Sequence, residues 1–190
     1  MTAPVPDQLR DRAASIRLLV LDVDGVLTDG RLYYGADGEA LKSFDVKDGL
    51  GLRLLMNEGV GVAVISARGA PPLRARLAEL SITHALLARE DKLSALTELL
   101  DVTGVALEEV AYVGDDIIDL PVLRVVGLPI TVRDAHTLVR SEVAWVTSAR
   151  GGRGAVREIA DGLLAARGRL EASCNALLEA GPRGGGPGGG

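Results

Sequence analysis

Cysteine occurs once in this 190-residue chain, at Cys174, so no internal disulfide can form. Histidine occurs twice, at His84 and His136, and no Cys/His spacing suggests zinc. The thiol reads as incidental, the histidines as structural or surface groups, and the expected compartment is a reducing cytoplasm. No apolar run approaches the roughly 18 residues that a bilayer-spanning helix needs. The opening MTAPVPDQLRDRAAS lacks the apolar centre of a signal peptide, so neither membrane insertion nor export is expected. Basic charge is also short, with 21 Lys and Arg against 26 Asp and Glu for a net charge of -5. Nucleic acid is therefore not expected as a partner. A small anion met by locally concentrated positive charge remains possible.

What is abundant is aliphatic. Hydrophobic residues make up 47% of the chain, enough for one globular domain with a real core. Short β-branched runs at Leu18–Val23, Val60–Ile65, Ala85–Leu87, Val110–Val113, Leu128–Val132 and Ala144–Val146 mostly lack polar alternation, as parallel strands covered on both faces do. Helical patterns lie between or after them at Gly49–Asn57, Pro72–Leu80, Asp91–Leu100, Leu120–Val125 and Gly154–Arg167. This alternation predicts a doubly wound, Rossmann-like α/β domain over residues 17–168. An N-terminal extension over 1–16 precedes it. A tail over 169–190 follows, whose Gly-rich end from Gly181 is expected to be disordered.

One segment breaks the rhythm. Residues 31–46 read as a β-hairpin around a Gly-Ala-Asp-Gly turn, inserted after the first strand. Tyr33 and Tyr34 sit on it although aromatics are only 3% of the chain, which suggests a flap in contact with another subunit.

Ligands of open α/β sheets bind beyond the carboxyl ends of the strands, and the acids of this chain gather there. Asp22 and Asp24, two apart, share a face as the first strand finishes, and Gly25 permits a tight turn away. Asp115, Asp116 and Asp119 follow the strand Val110–Val113. Such a concentration of carboxylates needs a counter-charge, and oxygen ligation with open positions suits Mg²⁺. Ser66 and Lys92 close two more strand ends and supply a donor and a cation where a phosphoryl group would sit. Singly, Asp-x-Asp reads as a turn, Ser66 as a cap and Lys92 as a solvated charge. In this order they suit phosphoryl transfer, with Asp22 as nucleophile and Asp24 as general acid and base.

DVDGVLTDG, Ser66, Lys92 and GDDIID together cover the four motifs of the haloacid dehalogenase superfamily of phosphatases, which this sequence resembles. FDVKDGLGLRLL, AYVGDDIIDLPVL, Asp134–His136 and GGRGAVREI resemble its capless subgroup, so the implied fold has a hairpin flap and no cap domain. The resemblance implies Mg²⁺ held by the Asp22 carboxylate, the Asp24 backbone carbonyl and Asp115, with Asp116 assisting. It places Ser66 and Lys92 on the phosphoryl group, and Lys47, Asp48 and Arg68 on polar groups of a sugar acid. It also implies a homotetramer. The implied substrate is a phosphorylated 3-deoxy-2-ulosonic acid, first among them 3-deoxy-D-manno-octulosonate 8-phosphate.

The sequence departs from the subgroup at Ser66-Ala67-Arg68, where Thr-Gly-Arg is common, at Ala88–Glu90, where a Gln-Gly stretch is usual, and in the C-terminal tail. The altered Ala88–Glu90 stretch keeps a sialic-acid-type 9-phosphate as an alternative substrate. Outside the enzymes, the alternatives are a receiver-like phosphoacceptor and an inactive tetrameric scaffold.

Overall fold

The computed structural model describes residues 5–179. In chain order its elements begin with α1 (Arg10–Ser15), β1 (Leu18–Leu21), β2 (Tyr33–Gly35), β3 (Gly38–Leu41), α2 (Val46–Asn57), β4 (Gly61–Ser66), α3 (Pro71–Glu79) and β5 (His84–Leu87). They continue with α4 (Lys92–Thr103), β6 (Val110–Val113), α5 (Leu120–Leu123), β7 (Leu128–Thr131), α6 (Thr137–Glu142), β8 (Trp145–Val146), α7 (Ala155–Ala166) and α8 (Leu170–Glu179). Six strands form one sheet in the order β5-β4-β1-β6-β7-β8, and every adjacent pair is parallel. The expected α/β class and its doubly wound sheet are thus present. The chain runs from β1 outward to one edge, then returns to β6 on the other side of β1, which sets the topological switch point there.

The unbroken aliphatic runs have their reason in two-sided burial. Leu19 and Leu21 of β1 join a core cluster with Leu52 and Leu55 of α2, Leu73 of α3 and Ile159 and Leu163 of α7. Leu18 and Val20 point the other way, to Leu96 and Leu99 of α4, Leu123 of α5 and Val139 of α6. Alternation within a strand therefore sorts residues between two apolar layers, and no polar face is needed.

Three helices were not expected from the sequence pattern: α1, α6 and α8. The helical pattern repeats every 3.6 residues and needs two or more buried positions to be visible, whereas each of these three buries one residue: Ala13, Val139 and Ser173. α1 lies in the stretch read as an extension, where Val5 and Leu9 also enter the core. α8 lies in the stretch read as a tail, and the Gly-rich end from Gly181 falls outside the described residues. No described helix is long and apolar enough to cross a membrane.

β2 and β3 pair antiparallel as the expected hairpin, with Tyr34 opposite Glu39 and Gly35 opposite Gly38. Among the described residues, the stretch 25–47 holds the hairpin and the start of α2 and the stretch 67–90 holds α3 and β5, with no cap domain in either. The hairpin's exit is fixed by Asp45, which caps α2 by accepting from the Lys47 amide at 2.8 Å. Asp48, one turn further on, is buried and caps a different helix: its carboxylate accepts from the Gly154 and Arg157 amides at the start of α7, at 3.4 and 2.7 Å. Burial pushes its carboxyl group up to about 6. Asp48→Ala leaves these amides without their acceptor, and we expect unfolding in urea to show about 1 to 2 kcal/mol less stability.

Candidate active site

β1 ends at Leu21, but the Asp22 amide still donates to the Val113 carbonyl at 2.9 Å, so Asp22 leaves the sheet from a strand-like position. The turn then tightens, with the Val26 and Thr28 amides both donating to the Val23 carbonyl. Gly25 is required here. Its φ is +92°, and a Cβ on it would lie 2.0 Å from Asp115 Oδ2. Lys92 begins α4 because Asp91 caps that helix, accepting from the Ser94 amide at 3.0 Å.

These loops meet in a cavity of about 250 Å³ lined by Asp22, Asp24, Ser66, Arg68, Lys92, Asp115 and Asp116, among others. Seven of the nine residues expected from sequence are therefore brought together. Lys47 is exposed on the first turn of α2 and Asp48 is committed to α7, so neither lines the cavity.

Buried Lys92 bridges two carboxylates, with Nζ 2.9 Å from Asp22 Oδ2 and 2.7 Å from Asp119 Oδ1. Burial pulls its ammonium toward the neutral form, but the two carboxylates outweigh that and hold it above the ordinary lysine value. Asp119 is fully buried and satisfied on both oxygens. Oδ1 also accepts from the Tyr112 hydroxyl at 2.7 Å, and Oδ2 from the Asp115 and Asp116 amides at 3.0 and 3.2 Å. Asp119 thus orients both Lys92 and the loop carrying Asp115. Burial raises the Tyr112 hydroxyl well above its ordinary value and the nearby carboxylates add to this, so it remains a donor.

Asp116 is exposed and spends one oxygen on its own turn, accepting from the Ile117 amide at 2.7 Å. Ser66 accepts from the Arg68 amide at 3.2 Å, which leaves its hydroxyl proton available to a ligand.

Sequence reasoning saw Asp119 but gave it no role, although its spacing of four from Asp115 returns it to the same turn. It missed Tyr112, Lys42 and Glu39. Lys42, at the end of the hairpin, has a fully buried side chain paired with the Asp24 carboxylate and, at 2.7 Å, with Glu39. Burial favours loss of its proton, yet the bonds to Asp24 and Glu39 prevail and raise its pKa. Glu and Lys three apart at a strand end were the available signal.

The arrangement is short of positive charge. Carboxylate oxygens of Asp22, Asp115 and Asp119 lie within 4.8 Å of one another, and Lys92 is the cation bonded among them. Burial, with repulsion between neighbours, pushes Asp22 up to about 6 and Asp115 up to about 7. A divalent cation with oxygen ligands answers that imbalance, and Mg²⁺ fits it. Asp22 and Asp115 have oxygens to give, whereas Asp119 does not.

Strand-end carboxylates that suit a cation, a buried lysine and a hydroxyl donor share one cavity on a doubly wound α/β sheet, an arrangement that suits phosphoryl transfer. A profile of haloacid dehalogenase-like hydrolases matches residues 80–159. The 3-deoxy-D-manno-octulosonate 8-phosphate phosphatase KdsC of Yersinia pestis is 49% identical over 168 residues, covering 88% of this chain and 90% of the relative. The crystal structure of the Yersinia pestis phosphatase superposes with a TM-score of 0.85 at 48% identity, covering 87% of this chain and 89% of that one. The phosphatase from Moraxella catarrhalis, solved with magnesium, phosphate and KDO, superposes with a TM-score of 0.87 at 36% identity, covering 90% and 98%. The chain belongs to the haloacid dehalogenase-like hydrolases, as a phosphoric monoester hydrolase.

The raised Asp22 and Asp115 values carry a sign. The folded, metal-free protein holds protons more tightly than the unfolded chain, whose carboxyl groups have the ordinary value of 3.8. Their contribution to stability is therefore lost as pH rises from the unfolded value through the folded values of about 6 and 7. Mg²⁺ competes with those protons, so the rise in Tm on adding Mg²⁺ is expected to be larger at high pH than at low pH in thermal melts. In Gly25→Ala, whose new methyl group displaces Asp115, that rise is expected to shrink or vanish.

Proposed function

We propose that this chain hydrolyses 3-deoxy-D-manno-octulosonate 8-phosphate in a Mg²⁺-dependent reaction, through a phosphoryl group carried transiently on Asp22. The observation that carries this reading is the identity of 48 to 49% with phosphatases named for that substrate, over nearly their whole length. The cavity supports it chemically. When bound between Asp22, Asp115 and the Asp24 backbone carbonyl, Mg²⁺ supplies positive charge against the phosphoryl oxygens. Lys92, whose ammonium sits 2.9 Å from the attacking carboxylate, aims Asp22 and offers a proton to a phosphoryl oxygen, and Ser66 offers its hydroxyl.

In the first step an Asp22 oxygen bonds to phosphorus as the ester P–O bond breaks, and Asp24 gives a proton to the departing sugar oxygen. In the second, water attacks the aspartyl-phosphate while Asp24 takes its proton, releasing phosphate and restoring Asp22. Arg68, half-exposed on the cavity wall, suits the carboxylate of a sugar acid.

The Ala88–Glu90 stretch, which suggested a nine-carbon substrate, does not line the cavity, and Arg89 pairs with Glu98 instead. A panel of sugar phosphates tests the choice. We expect the eight-carbon ester to exceed the nine-carbon one and unrelated esters in kcat/KM with Mg²⁺ present, and Asp22→Asn to abolish turnover. Equal, feeble rates across the panel would overturn the substrate assignment.

The hairpin supports a tetramer built around it. Tyr33 and Tyr34 are 42% and 66% exposed, and Leu41 also faces solvent. Sedimentation velocity on the full chain is expected to give four copies, and on a Tyr33→Ser/Tyr34→Ser variant fewer.

A further inference from the structure

The Asp24 carboxyl is hydrogen-bonded on one oxygen and only near a charge on the other. Its Oδ1 pairs with the ammonium of Lys42, and its Oδ2 lies 3.7 Å from Arg68 Nε on the cavity wall. Lys42 is in turn paired with Glu39 at 2.7 Å, and Glu39 Oε2 lies 4.0 Å from Arg68 Nη1. Asp24 and Arg68 of the domain and Lys42 and Glu39 of the hairpin thus form a ring of alternating charge. A fully buried ammonium is costly to keep unless it is bonded, and here both its partners are carboxylates, one of them on the far side of the hairpin boundary.

Ammonium has three donors and no acceptor. The oxygen it bonds therefore cannot present a proton toward it, and the proton that Asp24 exchanges must travel on the other oxygen. Fixing Oδ1 also stops the carboxyl from turning over.

We propose that Lys42, anchored by Glu39, is a positioning residue that docks the hairpin onto Asp24 and commits Oδ2 to proton transfer in the cavity. The inference rests on the reading of Asp24 as the acid and base. In the phosphoryl-transfer step, the ester P–O bond breaks with its electron pair on the sugar oxygen, which takes the Oδ2 proton. Phosphorus is now bonded to an Asp22 oxygen, and Asp24 is left as a carboxylate with Oδ1 still on Lys42. The flap is then part of the chemistry as well as a subunit contact: a hairpin lifted away from the domain takes the Asp24 anchor with it.

Leaving-group dependence reads this out. A sugar alkoxide needs a proton to depart, whereas 4-nitrophenolate departs without one, and kcat/KM reports only the steps through release of that group. The full-length Mg²⁺ enzyme is assayed with 4-nitrophenyl phosphate and with the alkyl ester that the wild type turns over best. For Lys42→Met, kcat/KM on the alkyl ester is expected to fall roughly 10- to 100-fold, as for a misplaced catalytic group, and at least ten times more than on the aryl ester. Asp24→Asn is run beside it.

If Asp24→Asn lowers both esters alike, Asp24 is not the acid and the underlying reading falls. If Asp24→Asn discriminates between the esters while Lys42→Met lowers both equally or neither, Lys42 only braces the fold and the present inference falls. Thermal melts report whether Lys42→Met folds. Should it not, Glu39→Gln, which keeps the ammonium but loosens its anchor, must show the same selective loss at smaller size, and equal losses on both esters overturn the proposal.

Discussion

Three carboxyl groups with oxygens inside 4.8 Å, served by one buried ammonium, are the constraint around which this protein is arranged. Like charges at that separation in a partly dry site repel strongly. The fold tolerates them because each is treated differently. Asp119 is quenched by four donors, Asp22 shares Lys92, and Asp115 is left to carry the surplus, visible as a carboxyl group raised to about 7. That surplus is what makes the site a place for a dication and, through it, for a phosphate monoester.

The sheet makes the convergence cheap in structural terms. β1 lies between β4 and β6, so their carboxyl ends are neighbours by hydrogen-bond register alone. Leu21 pairs with Val64 and with Val113, which brings Asp22, Ser66 at the end of β4 and the loop bearing Asp115 side by side before any side-chain contact is counted. Chemistry then needs only short loops, and the helices behind them fill the two apolar layers. The hairpin is the one part of the site that the sheet does not place, and it is tied down instead by the Lys42 and Glu39 charges and by the Asp45 cap of α2.

What could be read from the sequence follows from this division. Asp22, Asp24, Ser66, Arg68, Lys92, Asp115 and Asp116 were legible because strand ends can be found from aliphatic runs, and in this topology strand ends are adjacent. Residues whose roles depend on folding back were not. Lys42 reaches Asp24 across 18 positions, and Lys92 meets Asp119 across 27. Asp48 looked like a ligand group in a matching stretch, yet it caps a helix more than 100 residues away. No local pattern encodes such pairings, since they depend on how layers stack. The short helices α1, α6 and α8 escaped for a simpler reason, having too few buried positions to display a period.

The central position of β1 also orders events in time. Made from its amino end, a growing chain exposes Asp22 early, while the strand that must flank it on one side, Val110–Val113, is still tens of residues from completion. Parallel pairings between distant segments form late and slowly. A nascent or truncated chain that stops short of β6 therefore holds Asp22 and Lys92 without Asp115 or the buried Asp119, and so only part of the charge cluster. The cluster is complete only with the second half of the sheet.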